Sequence, residues 1–330
     1  MPSILPFLMT IGGAAAATAG GQLNGYWGQN GYIYDGLSDY CDTGVRYVSL
    51  SFISRAPEYD EATGYPVWLL SGCATMKQDI SYCQKRGVKV LMSIGGVWNN
   101  DADYRVSTEQ NGRDFSDFLW GAFGPYNTSW TGPRPLDFNG THNAVDGFDF
   151  DIEIKIDDKP YIAMVDRFRE LAPSMFISAA PQCPLAPQYF YMQELIQKAK
   201  LDALFVQFYN NEGCDAVIGN SKWDDEFNFN AWGDVLAASD KSKDAKVFIG
   251  LQAVEGSSGY ITAKEMQNLV CQYQDKSYFG GVSLWDMTLA TGNKVNGKSY
   301  VESAVDVLRD GCKDSQQSTI SATTSTVPAP

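Results

Sequence analysis

In the segment Asp146-Gly-Phe-Asp-Phe-Asp-Ile-Glu153, the acids at 149, 151 and 153 alternate with Phe148, Phe150 and Ile152. A two-residue period predicts a β-strand, because successive side chains leave opposite faces of a sheet. Asp149, Asp151 and Glu153 then share one wall, and the large apolar residues share the other. Carboxylates crowded at this spacing cannot all ionise comfortably, so at least one pKa rises and a proton is kept near neutral pH. A general acid needs that proton. A solvated edge strand and an acidic metal site fit the same alternation. The flanking phenylalanines favour burial of one face, and no Asn or His close in sequence completes a metal shell, so no metal is expected.

Geometry narrows the reaction. Residues i and i+2 on a strand lie about 6.6 Å apart and point the same way, so they cannot straddle a sugar ring as acid and opposed nucleophile. If the chemistry is glycoside hydrolysis with Glu153 as the acid, the nucleophile comes from elsewhere. A 2-acetamido group on the substrate could supply it, which favours N-acetylhexosamine polymers.

An acid strand of this kind needs a sheet to hold it. Apolar runs that read as strands recur at 23–27, 47–53, 88–94, 145–153, 175–180, 203–209, 247–251 and 281–285. Helical patterns fall between several of them, at 75–85, 112–123, 160–171, 188–198, 263–274 and 300–309. This alternation predicts an α/β protein, a single (β/α)8 TIM barrel with a parallel eight-stranded sheet. A doubly wound open sheet is the rival, but no Gly-x-Gly-x-x-Gly follows the first strand to give it a nucleotide site. No internal linker and no solenoid repeat interrupts the alternation.

Composition removes other classes. The 330 residues are 44% hydrophobic and 19% charged, enough for one large core. With 39 acidic against 25 basic residues the formal charge is -14, which repels nucleic acid and anionic membrane surfaces. A monomer without a cofactor is expected. The single histidine, His142, leaves no partner for a two-histidine metal site and would have to serve any Ser-His-Asp triad alone. Its place in the Gly/Pro-rich stretch 125–142 predicts a solvated loop residue.

The termini read differently from the middle. An apolar run from Ile4 to Ala17 ends in Ala17-Thr-Ala19 before Gly20, and the first charged side chain is Asp35. Residues 1–19 therefore read as a signal peptide, and Pro6 and Gly12-Gly13 interrupt the run too early for a membrane span. A catalytic barrel over 20–313 and a disordered Ser/Thr/Pro-rich tail over 314–330 complete the expected organisation. Seven widely spaced cysteines without a CxxC pair argue for disulfides rather than zinc or redox chemistry. The sequons Asn127-Thr-Ser and Asn139-Gly-Thr predict glycosylation on a surface loop of a secreted, extracellular protein.

The acid segment and Ser93-Ile-Gly-Gly96 resemble glycoside hydrolase family 18, whose signatures D-G-x-D-x-D-x-E and S-x-G-G are both met in full. The resemblance is narrower still to hevamine-type (class III) chitinases. It is carried by Tyr26-Trp-Gly-Gln-Asn30, Ala179-Ala-Pro-Gln-Cys183, Val206-Gln-Phe-Tyr-Asn-Asn211 and Gly280-Gly-Val-Ser-Leu-Trp285, and spans residues 22–310. It implies endo-hydrolysis of β-1,4-linked N-acetylglucosamine in chitin or chitooligosaccharides, with retention, through an oxazolinium intermediate. Glu153 is then general acid and base, Asp151 orients the acetamido group, Asp149 shares a proton with Asp151, and Tyr209 donates to the acetamido oxygen. Tyr26, Gly96, Gln182, Gln207 and Asn211 are the implied sugar contacts, and Trp285 the floor beneath the reacting residue.

The resemblance also implies disulfides Cys41–Cys83 and Cys183–Cys214, and non-proline cis peptides at Ser51-Phe52 and Trp285-Asp286. A Cys271–Cys312 bridge would join the last two helices, leaving Cys73 unpaired. Val97-Trp-Asn-Asn100, Ile154-Lys-Ile-Asp-Asp158 and the long 125–142 insert depart from the hevamine pattern. An endo-β-N-acetylglucosaminidase acting on N-glycans shares the same acid strand. A chitinase-like lectin that has lost its chemistry is the third reading.

Overall fold

The computed structural model describes residues 21–29, 36–59, 76–97, 103–217 and 227–312. The expected signal segment and tail, Asn30, Cys73 and the stretch Trp98-Asn-Asn100 lie outside the described residues. Eight parallel strands pair in chain order and close into a barrel: β1 (Gln22–Trp27), β2 (Tyr47–Ile53), β3 (Lys89–Gly96), β4 (Gly147–Ile152), β5 (Phe176–Ala179), β6 (Ala203–Gln207), β7 (Lys246–Gln252) and β8 (Phe279–Trp285). Pairing of β8 with β1, Gln22 opposite Gly281, completes the ring. The expected single TIM barrel is therefore the fold found.

Around the strands lie α1 (Leu37–Cys41), α2 (Met76–Lys85), α3 (Glu109–Phe123), α4 (Lys159–Leu171), α5 (Gln193–Lys198), α6 (Phe229–Ala237), α7 (Ala263–Tyr273), α8 (Met287–Gly292) and α9 (Tyr300–Asp310). Four of them differ from the sequence reading, which had no helix at α1, α6 or α8 and a longer one at α5. A helix over 188–198 begins only at Gln193, because Met192 takes a left-handed φ of 59° that a continuous helix cannot contain. The sequence pattern gave no helix at α6, whose mid-helix Gly233 weakens the signal; Tyr278 fills the space there, where a Cβ would approach its ring to 2.4 Å. No helix among the described residues is long and apolar enough to cross a membrane.

Register explains what the barrel places inside. Ser93 of β3 is opposite Asp149 of β4, and Asp149 is opposite Ser178 of β5, so all three stand at one level. Below them an aromatic floor packs Tyr47 on Phe176 with centroids 4.7 Å apart and Phe205 edge-on to Phe248 at 5.0 Å. On the outer face of β4, Phe148 stacks on Phe168 of α4 at 4.3 Å and Phe150 meets Tyr161 of the same helix. The two faces of the acid strand are thus divided as its period-two pattern dictates.

The strand starts are pinned from the end opposite the mouth. Asp146, just before β4, accepts the backbone N–H of Val90 at 2.8 Å and the Gln84 amide at 2.9 Å. Asp202, just before β6, accepts the N–H of Ile177 at 2.8 Å and the Arg169 guanidinium at 2.7 Å. Disulfides join Cys41 to Cys83, Cys183 to Cys214 and Cys271 to Cys312. The Ser51-Phe52 and Trp285-Asp286 peptides are cis.

Asp146 is in this structure a strand anchor and not a member of the inward acid row. Asp146→Ala orphans the Val90 N–H and is expected to lower unfolding free energy by about 1–3 kcal/mol in urea denaturation. Asp146→Asn, which keeps an acceptor, should lose less.

Candidate active site

At the C-terminal ends of the strands, β4 presents its acids to the barrel interior. Asp149 is fully buried and accepts three hydroxyls: Tyr26 at 2.8 Å, Ser93 at 2.7 Å and Ser178 at 2.6 Å. These come from β1, β3 and β5, so the deepest carboxyl ties three strands to β4. Asp151, one inward position higher and 4% exposed, accepts from Gln207 Nε2 at 2.8 Å. Glu153 follows the last residue of the strand, and its carboxylate accepts from Gln182 at 3.2 Å and Gln207 at 3.4 Å. One amide group of β6 thus touches both outer acids. No hydrogen bond joins Asp149 to Asp151 among the described residues.

The electrostatics follow from burial. Desolvation pushes the Asp149 carboxyl upward, and its three hydroxyl donors pull the other way. Asp151 is held well above the usual carboxylate range by burial and then by the neighbouring charges of Glu153 and Asp149. Glu153 is raised by burial and drawn down by Gln207 and Gln182. The Tyr209 hydroxyl is pushed far up by burial and then by Asp151, Glu153 and Asp149, so it stays protonated as a donor beside the acids. A retained proton in this cluster is the property of a general acid site.

The remaining expected residues take different places. Gln182, just past β5, forms an isolated parallel bridge with Gln207 of β6, and both side chains contact the acids directly. Trp285, partly exposed at the end of β8, stacks on Phe52 at 5.6 Å and tilts against Tyr26 at 5.7 Å. Tyr26 itself is 4% exposed, with its hydroxyl on Asp149. Asn211 donates to the Tyr209 carbonyl at 3.1 Å. Gly96 is needed for space, since a Cβ would strike the Phe52 ring at 2.8 Å, and its φ is +94°. Gly95 is tighter still, with a Cβ falling 1.9 Å from the Asp151 carbonyl oxygen. The S-x-G-G segment therefore lets β3 lie flush against the acid strand.

Tyr104 was not legible as a site residue. Fully buried, it donates its hydroxyl to the Gly96 carbonyl at 3.0 Å and accepts the Glu153 N–H at 3.2 Å. It thereby fixes the backbone of Glu153 just beyond the ladder. No sequence motif marks it. Ser178 left a faint signal, a lone hydroxyl at an inward position of an otherwise apolar strand. His142 is exposed as expected, but it is also held, 2.6 Å from Asp137 and stacked on Tyr126 at 3.6 Å.

A closed (β/α)8 barrel with its acids at the C-terminal mouth has the arrangement of barrel enzymes. Residues 22–257 match glycosyl hydrolases family 18, and the chain belongs to that family. It is 35% identical over 331 residues to endochitinase A1 of Aspergillus fumigatus, covering 91% of this chain and 39% of that protein. It is likewise 35% identical to endochitinase 2 of Coccidioides immitis, covering 91% of this chain and 36% of the relative. The chain thus spans less than half the length of these relatives. Among solved structures it resembles the ICChI chitinase of Ipomoea carnea, with a TM-score of 0.66, 25% identity and coverage of 88% and 100% of the two chains. It also resembles the xylanase and alpha-amylase inhibitor protein XAIP-II of Scadoxus multiflorus, with a TM-score of 0.68, 28% identity and coverage of 86% and 97%.

The buried acids carry a stability consequence. Folded Asp151 keeps its proton to higher pH than the unfolded chain does, so the stability of the protein falls as pH rises through that raised pKa. Asp151→Asn has no such proton to lose and should be more stable than wild type at pH 7, by on the order of 1 kcal/mol. Below about pH 4, where the acid is protonated in both states, the two proteins should melt alike. Calorimetric melts across pH 3–8 check this.

Proposed function

We propose that this protein is a secreted endochitinase that hydrolyses β-1,4-linked N-acetylglucosamine by substrate-assisted catalysis with retention. The observation that carries the reading is the same-side placement of Asp151 and Glu153, both in reach of the one Gln207 amide. Such a pair cannot flank the sugar ring as acid and opposed nucleophile. The substrate's own acetamido oxygen is the nucleophile that this geometry calls for. The names of the fungal relatives and of the Ipomoea carnea structure support chitin as the polymer.

In this reading the Glu153 carboxyl gives its proton to the glycosidic oxygen as the bond from that oxygen to the anomeric carbon breaks. The acetamido carbonyl oxygen closes on the same carbon to form an oxazolinium ring. Asp151 leaves Gln207 to accept the acetamido N–H, and Tyr209 donates its hydroxyl to the acetamido oxygen. Water then attacks from the face that the leaving sugar vacated, losing a proton to Glu153, so the β configuration is restored. Asp149 is the fixed acid beneath, whose charge discourages ionisation of its neighbours. Trp285 offers an apolar face to the reacting sugar, with Gln182 and Asn211 beside it. Residues 1–19 act as the export signal, and the barrel works as a monomer.

The shared fold does not by itself separate hydrolysis from binding, as the likeness to an inhibitor protein illustrates. The test is chemical. Wild-type protein with chitotetraose should release products whose new reducing ends are β when first formed, read by proton NMR, and an α anomer at that stage would overturn the mechanism. Glu153→Gln should lower kcat by about 10²- to 10⁴-fold while still binding the oligomer. Tyr104→Phe removes the hydroxyl that fixes the Glu153 backbone and is expected to lower kcat by roughly tenfold with little change in KM.

A further inference from the structure

At the other end of the barrel from the acids, the connection from α3 to β4 forms a groove of about 140 Å³ with the last turns of the helix. Trp120 and Trp130 line it together with Asp117, Gly121, Asn127 and Ser129. The Trp130 indole is held firmly. Its Nε1 donates to the Pro133 carbonyl at 3.0 Å, Phe118 meets it edge-on at 5.4 Å, and Gly121 makes room where a Cβ would come within 2.4 Å of the ring. Both tryptophans remain partly exposed. None of this serves the acid strand.

Asn127 opens an Asn-Thr-Ser sequon and is itself part of the groove wall. Its Oδ1 accepts the Ser129 N–H at 2.9 Å, and no hydrogen bond occupies its Nδ2 among the described residues. We propose that Asn127 carries an N-linked glycan whose first N-acetylglucosamine seats in this groove against Trp120 and Trp130. The groove is open to solvent, so it would take one face of a pyranose ring against the indoles and leave the substituents on the other face in water. A pyranose has an apolar C–H face and an acetamido methyl for the indoles, and hydroxyl and N–H donors for the Asp117 carboxylate, which also pairs with Arg167 at 2.7 Å.

The attachment forms a bond from Asn127 Nδ2 to the anomeric carbon of a lipid-diphosphate oligosaccharide donor. The carbon–oxygen bond to the diphosphate breaks, and the amide proton is lost. Asn139, the other sequon residue, provides the contrast: it sits with Gly140 at the tip of a two-residue hairpin between Phe138 and Thr141, and a Cβ on Gly140 would meet nothing within 4 Å. A glycan there has no seat.

The proposal rests on passage through the secretory pathway and not on the reaction assigned to Glu153. The full chain is secreted from a yeast host behind a heterologous leader, so failure of residues 1–19 as a signal does not enter. Glycopeptide mass spectrometry reads occupancy, and an endoglycosidase then trims each glycan to one N-acetylglucosamine. Hydroxyl-radical footprinting should find Trp120 and Trp130 oxidised about threefold more slowly in the trimmed protein than in Asn127→Gln or Ser129→Ala, as expected for indoles withdrawn from solvent. Asn139→Gln should match wild type. An unoccupied Asn127, or equal oxidation with and without its sugar, overturns the proposal. Protection of Asn127→Gln by free N-acetylglucosamine at millimolar concentration would reassign the groove to soluble sugar and overturn the tethered occupant.

Discussion

The structure is organised around three carboxyls that a single short strand carries into a place where water is scarce. A charged acid is costly to bury alone, and three on one face repel each other as well. The barrel meets that cost with donors from other strands: hydroxyls of Tyr26, Ser93 and Ser178 on Asp149, and amides of Gln207 and Gln182 on the outer pair. Each donor lies on a different strand or strand end, so the acids and the ring closure depend on each other. The same crowding that burdens folding keeps a proton on the cluster for chemistry, the exchange of stability for activity that active sites commonly make.

Packing on the far side of β4 makes that arrangement possible. Phe148 and Phe150 bury against α4 and hold the strand from outside, while the aromatic floor of Tyr47, Phe176, Phe205 and Phe248 closes the interior from below. Nothing larger than glycine fits at Gly95, where β3 runs against the Asp151 carbonyl. The acid row is therefore set by close backbone contact as much as by hydrogen bonds.

Much of this was visible in the sequence because period and position carry it. The alternation at 146–153 defines a strand, its faces and its inward acids, and the recurring apolar runs define eight strands close to their observed bounds. What depends on register was not legible. Ser178 meets Asp149 only because β5 pairs with β4 residue for residue, and Tyr104 meets Glu153 at a sequence separation of 49. Local backbone choices were equally hidden: the left-handed Met192 that delays α5, and the Gly233–Tyr278 contact that a weak helical pattern gave no hint of. Asp146 belongs to the recognisable acid signature yet anchors β3 to β4, a reminder that neighbouring letters of one motif can serve unrelated physical ends.

The anchors at Asp146 and Asp202 divide labour along the barrel axis. Strand alignment is secured at one pole by carboxylates that accept main-chain amides, so the loops crowning the opposite pole bear little of the burden of keeping the sheet in order. Descent can then lengthen, trim or recompose those loops, and so alter which part of a long polymer is gripped while the foundation stays unchanged.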